Sequence, residues 1–464
     1  MKKAITLTLL VAGLLSAALS CPLAEARNTK KTKEAAEPAV TFTLPSQETR
    51  EQKLERMKWW TDARFGMFIH WGLYSMPARH EWVKNRERLT NEDYRKYFDH
   101  FDPDLFNPKE WAAMAREAGM KYVVLTSKHH EGFCMWDSQV TDYKCTNTPA
   151  GRDLIREFVD AFRAEGLKVG FYYSLLDWHH PDYTIDRCHP QRIDNGTKED
   201  YDALNEGKDM DVYRQYMKDQ VTELLTNYGK IDIIWFDFSF PGENGKGRED
   251  WDSEGLLKLA RTLQPGIIVD DRLDLKDVWG GWDIFTPEQT KVAECPTWNG
   301  EKVTWETCQT FSGSWGYHRD EATWKNIPQL LELLIETVSK EGNLLLNVGP
   351  TSRGEFDHRA QDRLKGMGRW MHQNGRSIYG CTAAPAEFEA PERTLLTYNP
   401  ETNRLYIHLI DYPLDRLAVS FADKIEYAQF LHDGSEIKFD KTSIRTPVLK
   451  PDTEIPVVEV FLKD

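Results

Sequence analysis

The chain has 464 residues and carries 59 Lys and Arg against 74 Asp and Glu, a formal net charge of −15. That balance excludes a nucleic-acid partner, because phosphate binding needs a basic surface. With 40% hydrophobic residues the composition is that of a globular protein, and the length exceeds one ordinary core, so two domains are expected, a large barrel and something smaller.

Lys2 and Lys3 precede an apolar run from Ala4 to Leu19, and small residues lead on to Ala24-Glu25-Ala26. This is the pattern of a cleaved signal peptide over residues 1–26. The run is too short for a membrane span, and no later stretch is apolar enough for one. Cys21 opens a second route, an acyl anchor at that cysteine, although Ala18 stands where such sites usually carry Leu. Soluble export, periplasmic or extracellular, is the preferred reading, with the lipid anchor as its alternative. Residues 27–45 are polar and aperiodic and read as a disordered tether. Six cysteines follow the signal, none in a Cys-x-x-Cys pair, so a zinc or thioredoxin motif has no support and mostly buried free thiols are expected.

Beyond the tether, short apolar runs alternate with longer amphipathic ones. Phe65 to Ile69 reads as a strand. A helix starts at Asn107, with Pro108 at its first position and Glu110 closing a capping box, and ends at Gly119. Tyr122 to Thr126 is the next strand. Asp153 to Glu165 reads as a helix, Lys168 to Tyr173 as a strand, Val212 to Tyr228 as a helix and Ile231 to Phe236 as a strand. A helix from Leu256 to Leu263 precedes a strand from Ile267 to Val269. A strong helix from Ile327 to Lys340, a strand from Leu344 to Val348 and a helix from Arg359 to His372 complete the series. Strand-then-helix repetition with near-continuously apolar strands means parallel strands covered by helices. Some eight strands in about 310 residues favour a closed (β/α)8 barrel. No Gly-x-Gly-x-x-Gly turn follows the first strand, which weakens a dinucleotide fold. The expected division is a barrel over 46–378 and a small antiparallel β-sandwich over 379–464, the latter from short strands near Leu395, Leu405, Glu426 and Val457 and a hairpin signal at Asp433-Gly434.

In such a barrel the C-terminal strand ends carry the active site. Here they read His70-Trp71-Gly72, Lys128-His129-His130-Glu131, Tyr172-Tyr173-Ser174, Trp235-Phe236-Asp237, Asp270-Asp271-Arg272, and Pro287-Glu288 after a sixth strand at Trp282 to Thr286. Aromatic and hydrogen-bonding residues at six successive ends, in a chain with 16 tryptophans, point to a carbohydrate site. Asp237 and Glu288 are candidates for the carboxylate pair of glycoside hydrolysis, one attacking or activating water and the other protonating the departing oxygen. Arg272 or His129 would keep Asp237 ionised.

Four ordered motifs then carry a specific resemblance: Phe65-Gly66-Met67-Phe68-Ile69-His70-Trp71-Gly72, Lys128-His129-His130-Glu131-Gly132-Phe133, Trp235-Phe236-Asp237, and Gly342-Asn343-Leu344-Leu345-Leu346-Asn347-Val348-Gly349-Pro350. They resemble the motifs of the α-L-fucosidases, family 29 of the glycoside hydrolases, and the similarity runs from about residue 50 to residue 375. The resemblance implies retaining, two-step removal of terminal α-L-fucose from a fucosylated oligosaccharide or glycoconjugate, with no cofactor. Asp237 matches the nucleophile of the Trp-x-Asp motif. His70, Glu81, Trp82, His129, His130, Tyr172, Trp235 and Arg272 match positions that hold the fucose. Glu288, in Thr286-Pro287-Glu288-Gln289, best matches the acid/base of bacterial members, and Glu306, in Trp305-Glu306-Thr307-Cys308, is its rival. Strand side chains alternate, so only one of Tyr172 and Tyr173 faces the site, and the match selects Tyr172.

Another glycosidase on the same barrel is the near alternative, and two other classes compete. A metal-dependent barrel hydrolase also uses strand-end histidines, but the first strand supplies a single His70 without a His-x-His, so no metal is expected. A sugar-binding protein that has lost catalysis would lack a carboxylate, and both are present. Asn343 to Pro350 reads as structural, a buried strand closing the barrel.

Overall fold

The computed structural model describes residues 48–278 and 280–463. The signal peptide, the tether and the Cys21 anchor expected from the sequence lie outside the described residues.

Seven strands form one parallel sheet: Phe65–Ile69, Tyr122–Lys128, Lys168–Ser174, Ile233–Asp237, Ile268–Val269, Glu306–Thr310 and Asn343–Val348. The first pairs with both Tyr122–Lys128 and Asn343–Val348, so chain ends meet in the wall. Between Ile268–Val269 and Glu306–Thr310 the wall is closed by the segment 284–288 through three parallel bridges, Asp270 to Ile284, Phe285 to Trp305 and Glu288 to Cys308. The barrel therefore has eight staves. The expected sixth strand is a run of isolated bridges rather than a regular ladder, because Pro287 lacks the N–H a ladder needs. The segment holding Glu306 is the seventh strand. Gly66 is demanded by packing, since a Cβ there would sit 2.4 Å from the ring of Tyr122 in the neighbouring strand.

Parallel strands are hydrogen-bonded to both neighbours and covered on the outside by helices, which is why they read as continuous apolar runs. The helix Leu154–Ala164 buries Leu154, Ile155, Phe158, Val159 and Phe162 on one face, and Asp153 caps it through the backbone N–H of Arg156. The helix Pro108–Glu117 starts where the sequence places it, but without the expected capping box. Asn107 spends its side chain on Glu110 Oε1, 2.8 Å away, instead of on the backbone. Between Leu263 and Ile327 the described residues contain no helix; the crossovers there are loops and the small hairpin Thr297–Trp298 with Glu301–Lys302.

The helix Arg50–Ala63, which its charge pattern hides, closes the N-terminal mouth. Thr49 and Gln52 cap it reciprocally, and Met57, Trp60 and Ala63 join Phe68, Tyr122, Tyr172, Ile233, Trp235, Ile284, Cys308 and Leu345 in the barrel core. The helix thus fills the barrel core from the N-terminal side of the strands, opposite the polar strand ends.

After the helix His358–Asn374, a five-stranded antiparallel sheet runs in the order Thr382–Ala383, Thr394–Asn399, Arg404–Leu409, Val457–Leu462, Ile425–Phe430. A two-stranded sheet, Leu417–Ala418 with Ser443–Ile444, covers it over a core of Leu405, Ile407, Val458, Val460, Leu417 and Ile444. The architecture is the barrel with a small β-domain that the sequence led us to expect.

Candidate active site

The alternation of strand side chains decides what enters the site. Ile233 and Trp235 pack inside the barrel, so Asp237, two residues on, faces the same axis from the strand end. Its Oδ2 accepts from the Tyr172 hydroxyl at 2.7 Å and its Oδ1 from Arg272 Nη1 at 2.8 Å. Tyr173 points the other way, donating to Gln220 in the helix Met210–Asn227.

Arg272 organises this end of the site. Its guanidinium lies over the Trp235 ring, 4.4 Å from the centroid. Nη1 also donates to Glu288 Oε2 at 3.1 Å, while Nε and Nη2 donate to Thr286 Oγ1 and Thr286 O. Thr286 is itself pinned by Asp271, which accepts from its N–H at 3.0 Å and from its hydroxyl at 2.6 Å. Burial works against the charge of Arg272, but the facing carboxylates of Asp237 and Glu288 outweigh it and hold its pKa well above the ordinary value. A guanidinium fixed by this many partners offers Asp237 and Glu288 an unmoving shared positive charge.

Opposite lie the histidines. His70 Nδ1 is 2.6 Å from Asn347 Oδ1, and the Asn347 amide is oriented by donating from Nδ2 to Trp315 O at 2.7 Å. Since the Asn347 oxygen accepts, His70 carries its proton on Nδ1 and leaves Nε2 as a lone pair. Burial, aided by repulsion from His129, pushes the His70 pKa down to about 3. His130 follows the same logic. The Ser174 hydroxyl donates to Leu176 O at 2.8 Å and so accepts from His130 Nδ1 at 2.7 Å; burial keeps that ring neutral too. The His129 ring stacks on Tyr172, its Nδ1 3.7 Å from the buried Glu131 carboxylate.

Glu81 and Trp82 come from the loop after the first strand. Glu81 Oε2 accepts from the backbone N–H groups of Trp315 at 3.2 Å and Gly316 at 2.9 Å, while Oε1 faces His80 Nδ1 at 3.0 Å. Burial favours the neutral acid, yet His80 and the Gly316 N–H prevail and hold its pKa far below the usual carboxylate range. Trp82 packs edge-on against His130, Trp178 and, at a tilt, Phe238.

The structure thus brings together Asp237, Glu288, Arg272, Tyr172 and Trp235 through direct contacts, and His70, His129, His130, Glu81 and Trp82 around the facing wall. Glu306 is elsewhere. It begins its strand, beside the N-terminal plug, where the hydroxyl of Tyr122 donates to it and burial raises its pKa to about 7. Three contributors went unread in the sequence. Trp315 tilts over His70 at 5.1 Å, beyond the end of the strand Glu306–Thr310. Thr286 locks Arg272, and Asn347, read as structural, orients His70. Cys134, Cys145, Cys308 and Cys381 are buried thiols, as expected. Among the described residues, no three His, Cys, Asp or Glu side chains are grouped as metal ligands would be, and no helix is long and apolar enough to cross a membrane.

Two carboxylates spanned by one arginine, in a pocket walled by neutral imidazoles and aromatic rings, suit the cleavage of a glycosidic bond, and the class is that of the (β/α)8 glycoside hydrolases. The comparisons agree and go further. The family model Alpha-L-fucosidase matches residues 30–376. Human tissue alpha-L-fucosidase is 31% identical over 382 residues, which cover 76% of each chain. The solved alpha-L-fucosidase isoenzyme 1 of Paenibacillus thiaminolyticus superposes with a TM-score of 0.83 at 44% identity, over 89% of this chain and 100% of that one. A Bacteroides thetaiotaomicron family 29 fucosidase, trapped as a covalent intermediate with 2-fluoro-fucosyl fluoride in a Glu-to-Gln variant, superposes at 0.78 with 28% identity, over 92% and 100%.

The chain belongs to the α-L-fucosidase family, family 29 of the glycoside hydrolases. It is a glycosidase that removes terminal α-L-fucose with retention of configuration.

Proposed function

We propose that Asp237 is the nucleophile and Glu288 the acid/base of this hydrolysis. The observation that carries the reading is the shared contact with Arg272 Nη1. The two carboxylate oxygens cannot be farther apart than those two bonds laid end to end, about 6 Å, close to the roughly 5–5.5 Å carboxyl spacing of retaining glycosidases. Asp237 attacks the anomeric carbon as Glu288 gives its proton to the departing oxygen, leaving a fucosyl ester on Asp237. Glu288 then takes a proton from water, which displaces Asp237 and releases α-fucose. Arg272 and the Tyr172 hydroxyl hold the carboxylate in line before attack and accept its loss of charge afterwards, so little reorganisation accompanies the reaction.

The sugar is held on the facing wall. His70 and His130, both neutral with Nδ1 committed, present Nε2 lone pairs that accept from fucose hydroxyls. His129, Glu81 and Trp82 complete the polar wall, and Trp235 supplies an apolar face. The natural substrate is a fucosylated oligosaccharide or glycoconjugate, and the protein is exported to the periplasm or outside the cell, as its first 26 residues suggest. The division into a catalytic barrel over 46–378 and a β-sandwich over 379–464 belongs to the same reading, supported by the change from parallel to antiparallel sheet.

The test is hydrolysis of an aryl α-L-fucoside followed by proton NMR. α-Fucose appears first, before mutarotation, if the mechanism is double displacement; β-fucose as first product rules it out.

A further inference from the structure

The loop that leaves the nucleophile is built for something other than holding it. Phe238, directly after Asp237, has φ of +85°, a conformation that bulky side chains rarely adopt. Strain of this kind persists where the surroundings enforce it, and it collects at ligand sites. Here it turns the Phe238 ring toward Trp82 and His130, with centroids at 5.3 and 5.1 Å, and Phe240 follows at 5.2 Å from Phe238. Trp82, Phe238 and Phe240 are each only half-buried, which is costly for phenylalanine on a loop that has a core to hide in.

The loop is also rigid. Phe240 N–H donates to Lys246 O at 2.8 Å, closing a hairpin in which Gly245 is required because a Cβ there would meet Phe240 O at 2.1 Å. Arg187 braces it from outside, donating to Phe240 O at 3.0 Å and Glu243 O at 2.7 Å, and the buried Lys246 pairs with Asp186 at 3.4 Å. A stiff row of half-exposed rings, continuous with the fucose pocket through Trp82, matches the apolar C–H face of a pyranose.

We propose that Phe238 and Phe240, adjoining Trp82 of the fucose pocket, form the subsite for the sugar to which fucose is attached, a hexopyranose seated by its C–H face on the two rings. Linkage preference is then set by which hydroxyl of that sugar points at Asp237 and Glu288 while its ring lies on Phe238 and Phe240. The inference rests on the assignment of those two carboxylates.

The experiment compares two substrates in the full-length enzyme: a fucosyl-N-acetylglucosamine disaccharide, which fills the subsite, and α-L-fucosyl fluoride, which has no sugar to place there. Phe240→Ala is expected to lower kcat/KM for the disaccharide roughly tenfold, mainly through KM, and to change the disaccharide-to-fluoride ratio by about the same factor. Phe240→Tyr, which keeps the ring, restores the ratio. Phe240→Leu, which keeps the bulk without the ring, serves where the alanine variant does not fold and lowers the ratio likewise. Equal losses on both substrates, or no loss on the disaccharide, overturn the subsite. A native enzyme that hydrolyses neither substrate overturns the catalytic reading first, and the subsite with it.

Discussion

Asp237 and Glu288 share a single donor: Nη1 of Arg272 lies 2.8 Å from Oδ1 of the first and 3.1 Å from Oε2 of the second. One rigid group therefore sets the spacing of both carboxylates, and its orientation is set in turn by Thr286 and the Trp235 ring. Arg272→Lys keeps the charge but loses the fork, so it cannot serve Asp237, Glu288 and Thr286 together. Its kcat/KM on an aryl α-L-fucoside is expected to fall by about 10²-fold or more, the usual cost of losing positioning at a reacting centre. Initial rates check this, and a value within threefold of native removes Arg272 from the machinery.

The nucleophile assignment has a stereochemical signature. Asp237→Ala opens space on the β face of the anomeric carbon and should leave no measurable turnover of unactivated fucosides. Azide entering that space displaces an α-linked activated leaving group and gives β-fucosyl azide, identified by its anomeric coupling in NMR. Turnover near the native rate without azide contradicts the assignment.

His70 tests the tautomer argument. Its pKa of about 3 keeps the ring neutral above pH 5, and Asn347 selects the Nδ1–H form. Asn347→Leu removes the acceptor and leaves the Nδ1–H unpaired, so Nε2 loses its fixed role. KM should rise about tenfold, the scale of one lost hydrogen bond to substrate, with a smaller effect on kcat. Nitrogen-15 shifts of the native histidines give an independent check: finding the His70 proton on Nε2 defeats the explanation.

How much of this was legible beforehand follows from what each stave is made of. The strands ending at Ile69, Lys128, Ser174 and Asp237 are apolar almost throughout and announce themselves. Glu306-Thr307-Cys308-Gln309-Thr310 does not, because Glu306 is buried beside Tyr122 and Thr307 and Gln309 bond to Thr290 across the outer wall. The segment reads equally as a loop or as the next stave, so Trp315, beyond its end at Thr310, was not singled out. The tie between His70 and Asn347 spans 277 residues and exists only once the first and last strands pair. Local pattern cannot supply such a contact. The motifs could be located in the sequence, but the hydrogen bonds among them depend on closure of the barrel.

The buried Glu306 has a consequence for stability. Its pKa is raised from 4.5 to about 7 by burial. The folded protein therefore holds a proton that the unfolded chain releases as pH climbs above 4.5. The contribution is whole below that value and is lost as pH rises through about 7, on the order of a few kcal/mol. Glu306→Gln mimics the neutral acid, so its melting temperature should exceed the native one at pH 8 and approach it at pH 4.5. Thermal scans across that range decide the matter; parallel curves for the two proteins contradict it.

Glu288 and Glu306 were the competing proton donors, and their positions suggest a decisive comparison. Glu288 ends the bridged segment, bridging to Cys308, and shares Arg272 with Asp237, whereas Glu306 lies beside the helix that plugs the opposite end. A departing sugar oxygen needs its proton, while fluoride or a nitrophenolate scarcely does. Glu288→Ala should therefore lose about 10²–10⁴-fold on a natural fucoside but far less on an activated one. With the activated substrate the fucosyl ester on Asp237 still forms, though water now attacks it without a base. Azide attacks instead from the α face, breaking the ester and forming α-fucosyl azide, the anomer opposite to that expected from Asp237→Ala. Glu306→Gln should change neither the leaving-group dependence nor the azide product. Should the α-azide and the leaving-group dependence appear with Glu306→Gln and not with Glu288→Ala, the proton donor is Glu306, and the shared contact on Arg272 serves only to place Asp237.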